Sequence, residues 1–405
     1  MKKFFEIALG VITSIGGFVE VGSIATSAQA GAVFRFQLLW PVVLGTLCVI
    51  FLIEMSGRLA AISKHPLPAA VRERFGINFF VIPLLAETVV DLLVLASELG
   101  GACIALQLMT GIAFPYWALP VALLAWAMLW YTNFSTIEYG VSLLGLITIV
   151  FVVAAIKLHP PAGEAAKGLL PTLPAHDKVH YWFLAVSMLG ATISPYLFNF
   201  YSSGAVEEKW NEEHLGPNRI TAVLGMGFGG VVALGVIGAA ALVLSPRQIQ
   251  IDTYEQVALI VSHPLGKIGY WLFSAGLFVA CFGAALELSL DISYVYAQAL
   301  GWKWGENEKP ADAARFSMVF TIFLFAGSIF ILAGLDPLKL TLFSMAVTTV
   351  ILPVVVLPFL VLMNDKKFVG KHTNGRLGNA VVFFCVILAG LLALVAIPLE
   401  IFGGK

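Results

Sequence analysis

Apolar residues run along this chain in long blocks separated by short polar stretches, and the blocks have membrane-crossing length. Eleven are visible, over approximately 5–33, 38–62, 77–109, 115–131, 136–157, 180–205, 218–244, 266–299, 313–333, 339–363 and 379–402. A span needs about 20 apolar residues as a helix. In hydrocarbon every backbone N–H and C=O must be paired within the protein, so each block predicts a helix. The ten-residue alternation of a membrane β-barrel is absent. The fold class expected is therefore an all-α polytopic membrane protein of about 11 transmembrane helices, forming one transporter domain over 1–405. The loops between the blocks, the longest about 158–179 and 206–217, leave no room for a soluble domain.

Two blocks are interrupted, and they lie five spans apart. The first carries Gly16-Gly17 and Glu20-Val21-Gly22-Ser23; the sixth carries Gly190-Ala191-Thr192-Ile193-Ser194-Pro195-Tyr196. An odd offset inverts one half relative to the other, so spans 1–5 and 6–10 predict inverted repeats, approximately 1–157 and 180–363, with 379–402 as an extra helix. Broken helices at matching positions of inverted halves point to a central transport site. Breaking a helix frees carbonyls and aims half-helix dipoles at one point. The plainer alternative is that Gly and Pro only kink or pack membrane helices.

Composition sharpens this. The 405 residues are 60% hydrophobic and 12% charged, against about a quarter charged in soluble domains. A soluble enzyme, a disordered chain and a nucleic-acid binder are excluded. Net charge is -1, so no polyanion partner is implied; the partner surface is the lipid bilayer. Neither an oligomer nor a bound cofactor is implied. The cysteines Cys48, Cys103, Cys281 and Cys385 are far apart within apolar blocks, which reads as packing rather than disulfides or a metal knuckle.

The opening Met1-Lys2-Lys3, an apolar run and Ala28-Gln29-Ala30 have the outline of a secretory leader. Glu20 in mid-run and the length of the run favour a first transmembrane helix instead. With that N-terminus inside, fifteen Lys/Arg fall on the inner face and eight on the outer, the densest clusters (64–74 and 366–376) inside. The positive-inside rule then places the N-terminus in the cytoplasm and the C-terminus outside.

A charge at mid-membrane costs about 2.5–3.5 kcal/mol on insertion scales and usually marks an ion or proton path. The candidates are Glu20, Glu54, Glu87, Asp91, Glu98, Glu138, Glu287 and Asp291. Lys and Arg sit at span ends, so the buried excess of acid favours a cation or proton passenger. Glu54 has a bland alternative, an i,i+4 pair with Arg58, and Glu138 reads equally as a helix start. Glu87, Asp91 and Glu98, at steps of four and seven, share one helical face and form a polar stripe. Glu20 stands out, central in a Gly-broken stretch followed by Ser23, Thr26, Ser27 and Gln29. No His or Cys falls in the broken parts of spans 1 and 6. Carboxylate, hydroxyl and carbonyl oxygens suit a hard cation such as Mg²⁺ or Mn²⁺. No His–Glu metal motif, Ser–His arrangement or phosphate loop suggests an enzyme.

These residues also resemble the Nramp family of divalent-metal transporters, which has a LeuT-like inverted-repeat fold. Glu20-Val21-Gly22-Ser23 and Ala25-Thr26-Ser27-Ala28-Gln29-Ala30-Gly31 look like the family's Asp-Pro-Gly-Asn stretch and the Ala-Thr-x-x-Gln-Ala-Gly that follows. Leu38-Leu39-Trp40, Ser56-Gly57-Arg58-Leu59, Ser97-Glu98 and Ile104-Ala105-Leu106 continue the match. Leu189 through Tyr196 with Ser202-Ser203 resembles the family's Met-Pro-His stretch, and Pro353, Pro358 and Asn364-Asp365 the end of span 10. The resemblance implies a transporter moving a divalent cation by alternating access, in a bacterial inner (plasma) membrane. It implies binding residues Glu20, Ser23, Ala191, Ser194 and Tyr196, of which Glu20, Ser23 and Ser194 are the metal ligands. It leaves Glu87, Asp91 and Glu98 as a proton or polar pathway. The departures are specific. The family's ligating Asp, Pro and ligating Asn are Glu20, Val21 and Ser23 here; its Met and His are Ser194 and Tyr196. Its Asp three residues before Glu98 is Leu95, and its span-8 Gln is Phe282. Losing the thioether removes a soft ligand, as in the magnesium-transporting relatives. The competing passenger is a small organic cation, amino acid or other solute between the two breaks.

Overall fold

The computed structural model describes residues 20–132, 145–174 and 176–402. Gly16-Gly17 and Glu138 lie outside the described residues. The helices are α1 (Val21–Phe34), α2 (Leu39–Ser63), α3 (Leu67–Phe75), α4 (Ile77–Thr110), α5 (Ala118–Tyr131), α6 (Ile149–Lys157), α7 (Ala162–Gly168), α8 (Lys178–Thr192), α9 (Pro195–Glu207), α10 (Leu215–Val243), α11 (Tyr254–Leu300), α12 (Ala314–Leu332), α13 (Pro337–Asn364), α14 (Lys366–Val369) and α15 (Arg376–Phe402). Among the described residues nine helices, counting α8–α9 as one, are long and apolar enough to cross a membrane.

The ends obey local chemistry. Pro337 opens α13, where its missing N–H costs nothing, and Asp336 accepts from Leu338 N at 2.9 Å. Asp177 caps α8 through His180 N at 3.2 Å. The 47 residues of α11 bend at Gly266, whose φ of 65° and ψ of −149° suit a residue without Cβ. The bend falls where the apolar block was expected to begin. The stretch before it is an additional helical arm that the hydropathy pattern did not separate. Two further differences are α3 and α7, which fill loops expected to be irregular. Both are too short and polar to register as apolar blocks. Block 136–157 is seen as a 3-10 turn at Leu146–Thr148 and then α6.

The core of the bundle is α4 laid along α11 and α13, with α1 held against α8 and α10, and α2 against α9 and α10. Small residues set the closest approaches. A Cβ on Gly31 would meet the backbone of α10, and one on Gly190 the Met345 carbonyl of α13. Apolar driving force is weak between helices in lipid, so such close packing is what holds them. Leu47, Leu85, Val231, Ile329, Phe384 and Leu394 are exposed, as befits a lipid-facing surface.

Candidate functional site

The two expected breaks meet. Helix α8 stops at Thr192 because Pro195 cannot supply an N–H and pushes the residue before it out of the helical region. Ile193 (φ −114°, ψ 57°) and Ser194 (φ −77°, ψ 128°) are non-helical. Across from them Glu20, with φ −108° and ψ 169°, is extended immediately before α1. The Ser23 hydroxyl donates to the Ala191 carbonyl at 3.4 Å. The Tyr196 hydroxyl donates to Glu20 Oε2 at 3.0 Å. Glu20, Ser23, Ala191, Ser194 and Tyr196 are all buried, and among the described residues Glu20 Oε1 has no hydrogen-bond partner. That oxygen is the notable atom of the site, because leaving a buried carboxylate oxygen bare is costly.

Glu98 is part of the same centre. Its Oε1 and Oε2 accept from Val21 N at 3.1 and 3.3 Å. A carboxylate from α4 thus caps the first turn of α1, where the helix dipole favours negative charge. Glu98 lies within electrostatic reach of Glu20 and Glu287. Glu20, which stood out in the sequence, therefore belongs to a small acidic group. The other two members of the stripe sit lower on α4. Glu87 accepts from Asn199 Nδ2 of α9 at 3.2 Å, Asp91 is its neighbour, and Asp291 of α11 completes the group, both its oxygens without a hydrogen-bond partner among the described residues. The stripe therefore divides into an upper and a lower station. Glu54 does not belong to either: it pairs with Arg58 at 2.9 Å and with Arg219 at 3.6 Å.

Sequence reasoning missed two sulfurs. Met345 of α13 is fully buried between the two broken helices. A Cβ on Gly22 would lie 2.5 Å from its Sδ. Cys281 of α11 faces Glu98, and a Cβ on Gly101 would lie 2.6 Å from its Sγ and 2.9 Å from Val21 Cγ2. Both lie outside the broken parts of spans 1 and 6, where no His or Cys was expected, and reach the centre from other helices. No local signal marks either one, since each is an apolar residue in an apolar run whose partner lies far away in sequence. Only the small neighbours Gly22 and Gly101 hint that something comes close. Phe282, in place of the family's Gln, stacks on Phe278 with ring centroids 5.4 Å apart. Leu95 is buried. Among the described residues no group of three or more His, Cys, Asp or Glu is arranged to hold a metal ion. Any cation held here would need carbonyl and hydroxyl oxygens beside the carboxylates.

Comparison with known proteins places this geometry. The chain is similar to the Eremococcus coleocola manganese transporter, solved with an aromatic bis-isothiourea compound, at TM-score 0.80 and 18% identity over 99% of this chain and 87% of that one. It is also similar to Mhp1, a nucleobase-cation-symport-1 family transporter, at TM-score 0.61 and 13% identity over 97% and 92%. The expected LeuT-like fold is thus the observed one, in an integral membrane protein with multiple spans. In sequence, the chain is 24% identical to the divalent metal cation transporter MntH of Caldanaerobacter subterraneus subsp. tengcongensis, covering 99% of this chain and 96% of that protein. It is 25% identical to the MntH of a Klebsiella pneumoniae strain, over 93% and 91%. A family model described as Natural resistance-associated macrophage protein-like matches residues 10–398, and the chain belongs to this Nramp family, whose members are transporters and not enzymes.

Proposed function

We propose that the protein carries a hard divalent cation, Mn²⁺ ahead of Mg²⁺, across a bacterial plasma membrane by alternating access. The observation that carries this reading is Glu20, buried where α1 begins, with Oε2 held by Tyr196 at the break between α8 and α9 and Oε1 without a hydrogen-bond partner among the described residues. Glu20, Ser23 and Ser194 hold the ion, with the Ala191 carbonyl beside them; Tyr196 holds the other Glu20 oxygen and sets the aim of the carboxylate. Few carboxylates suffice for a small divalent cation that keeps several waters. Met345 supplies a thioether at the edge of an otherwise oxygen-lined site, which tilts the balance from Mg²⁺ toward Mn²⁺. The relatives' names, divalent metal cation transporter and manganese transporter, support a divalent cation as the passenger. The halves 1–157 and 180–363 move against each other, with the N-terminus in the cytoplasm and the C-terminus outside. Glu98, Asp91 and Glu87 form a polar path from the site toward the Lys/Arg-rich face.

The competing occupant is a small organic cation, favoured by the buried rings of Tyr196 and Phe198 at the second break. Uptake of Mn²⁺, Mg²⁺, Ca²⁺ and Cd²⁺ into liposomes, paired with calorimetry on the purified protein, separates the two. Saturable Mn²⁺ binding and uptake is expected. Absence of both for every metal rejects the metal reading. Acidification of the lumen during uptake tests the polar path, and a constant lumenal pH removes proton movement from it.

A further inference from the structure

A second cavity lies far from the transport centre, at the Lys/Arg-rich ends of the helices. It is an open groove of about 810 Å³ between the end of α13, the start of α15 and the tip of α3. Its upper wall is basic. Arg74, Lys366 and Arg376 line it and all three are exposed. The acid among the lining residues is Asp365, which pairs with Arg74 Nε at 2.8 Å and also accepts from Lys367 N at 2.9 Å. That pairing engages Nε and leaves the terminal guanidinium nitrogens of Arg74 directed elsewhere. Lys366 and Arg376 have no acidic partner among the described residues. The cavity therefore carries a surplus of about two positive charges.

The rest of the groove changes character along α13 and α15. Its floor is a reciprocal amide pair, Asn364 Nδ2 to Asn379 Oδ1 at 3.0 Å and Asn379 Nδ2 to Asn364 Oδ1 at 2.8 Å. Asn374 adds a bond to Asn379 Oδ1 at 2.8 Å. This neutral clamp ties the end of α13 to the start of α15 and keeps the cavity from collapsing. Below it the wall is apolar: Val361 lies one helical turn before Asn364, and Phe383 two turns after Arg376. Both are exposed, at 45% and 53%. Two turns are about 11 Å. Cations at the interface, neutral polar groups beneath them and an apolar flank running into the bilayer reproduce the order of groups in a phospholipid.

We propose that this cavity is a binding site for an anionic phospholipid, its phosphate between Lys366, Arg376 and Arg74 and an acyl chain along Val361 and Phe383. Basic pockets between helix ends on the cytoplasmic side are suited to such headgroups. The charge surplus favours an anionic over a zwitterionic lipid. The apolar flank favours a lipid over free phosphate, which would leave it unused. Bound there, the lipid would staple α15 to α13 and α3.

Native mass spectrometry of the full chain, released from detergent with phosphatidylglycerol, phosphatidylcholine or inorganic phosphate, tests the site. A retained phosphatidylglycerol adduct is expected, with weaker phosphatidylcholine retention and no phosphate competition. The double variant K366Q/R376Q should lower phosphatidylglycerol affinity by about fivefold per cation removed. K209Q/K309Q, which removes the same charge from the same face, should not. Ala380 also lines the cavity, and A380W should fill it and weaken retention without changing charge. Equal loss in the two double variants would mean diffuse attraction and overturn the site. Phosphate competing as well as lipid would make it an anion site, and unchanged retention in both K366Q/R376Q and A380W would reject it.

Discussion

At the scale of the residue, the two oxygens of Glu20 have different fates, and this can be tested. Glu20→Gln keeps the shape and removes the charge. Uptake should fall to background while the protein remains folded, as judged by its elution and thermal transition; retained uptake would remove Glu20 from the transport site. Tyr196→Phe deletes the hydroxyl that donates to Glu20 Oε2 at 3.0 Å. A hydrogen bond to a charged group contributes about 1.5–3 kcal/mol, and here it fixes the direction of the carboxylate. Mn²⁺ should then bind more weakly in Tyr196→Phe, by about tenfold or more in calorimetry. Unchanged or tighter binding would show that the hydroxyl does not aim Glu20 at the ion. Met345→Leu conserves volume, a change that cores usually tolerate for under about 1.5 kcal/mol. If the thioether touches the ion, the uptake of Cd²⁺ relative to Mn²⁺ should drop, and a contact of about 1.4 kcal/mol would appear as a tenfold change in the ratio. An unchanged ratio would return Met345 to packing. That Glu20, Ser23 and Ser194 come together was legible from sequence because each lies in a visible break. Met345 and Cys281 were not, because a single residue in an apolar run carries no record of what it faces across the bundle.

The elements were legible to the extent that hydropathy and backbone chemistry agree. Membrane-crossing length marked the long helices within a few residues, and Pro195 marked the second break, since a proline inside an apolar run removes a bond that lipid cannot replace. Helices α3 and α7 escaped because interfacial helices need no apolar block. The extra length of α11 escaped because the pattern does not report the turn at Gly266. The broken element also has a packing requirement that hydropathy does not show. Gly190, three residues before Ile193, presses directly on the Met345 carbonyl of α13. A methyl group there cannot be accommodated by a rotamer change, because the obstacle is backbone. Gly190→Ala should therefore cost about 1–3 kcal/mol as overpacking, and should push α8 away from α13. A lowered thermal midpoint with loss of Mn²⁺ binding is the expected result. A variant as stable as the parent would show that α8 is free to shift, and that the break is less rigid than its close packing implies.

For the whole molecule, the question is which layer must give way for a buried site to reach water. Helix α9 runs from the site toward the Lys/Arg-rich face, and its polar residues Asn199, Ser202, Ser203 and Glu207 are latched to three other elements. Asn199 donates to Glu87 of α4 at 3.2 Å, and Leu67 N of α3 donates to Ser202 Oγ at 2.9 Å. Gln298 and Tyr294 of α11 donate to Ser203 Oγ at 2.9 Å and to Glu207 Oε2 at 2.6 Å. On the opposite face, Gln29 donates to the Ile251 carbonyl at 3.1 Å, Gln107 donates to Glu255 at 2.9 Å, and Arg35 pairs with Glu164 at 2.7 Å, the last two side chains about 40% exposed. An exposed pair of that kind contributes at most about 1 kcal/mol. Polar bonds suit a moving joint, because water can take over each partner as the layer opens and little net energy is lost per bond. Removing two latches, as in Asn199→Ala with Tyr294→Phe, should shift the balance toward opening on the Lys/Arg-rich face by about 3–6 kcal/mol at 1.5–3 kcal/mol per bond to a carboxylate. Hydrogen exchange over 195–207 should accelerate about a hundredfold or more, while exchange in α10 stays as it was. Equal acceleration in both helices would mean general destabilisation, and no acceleration in α9 would place the moving joint elsewhere.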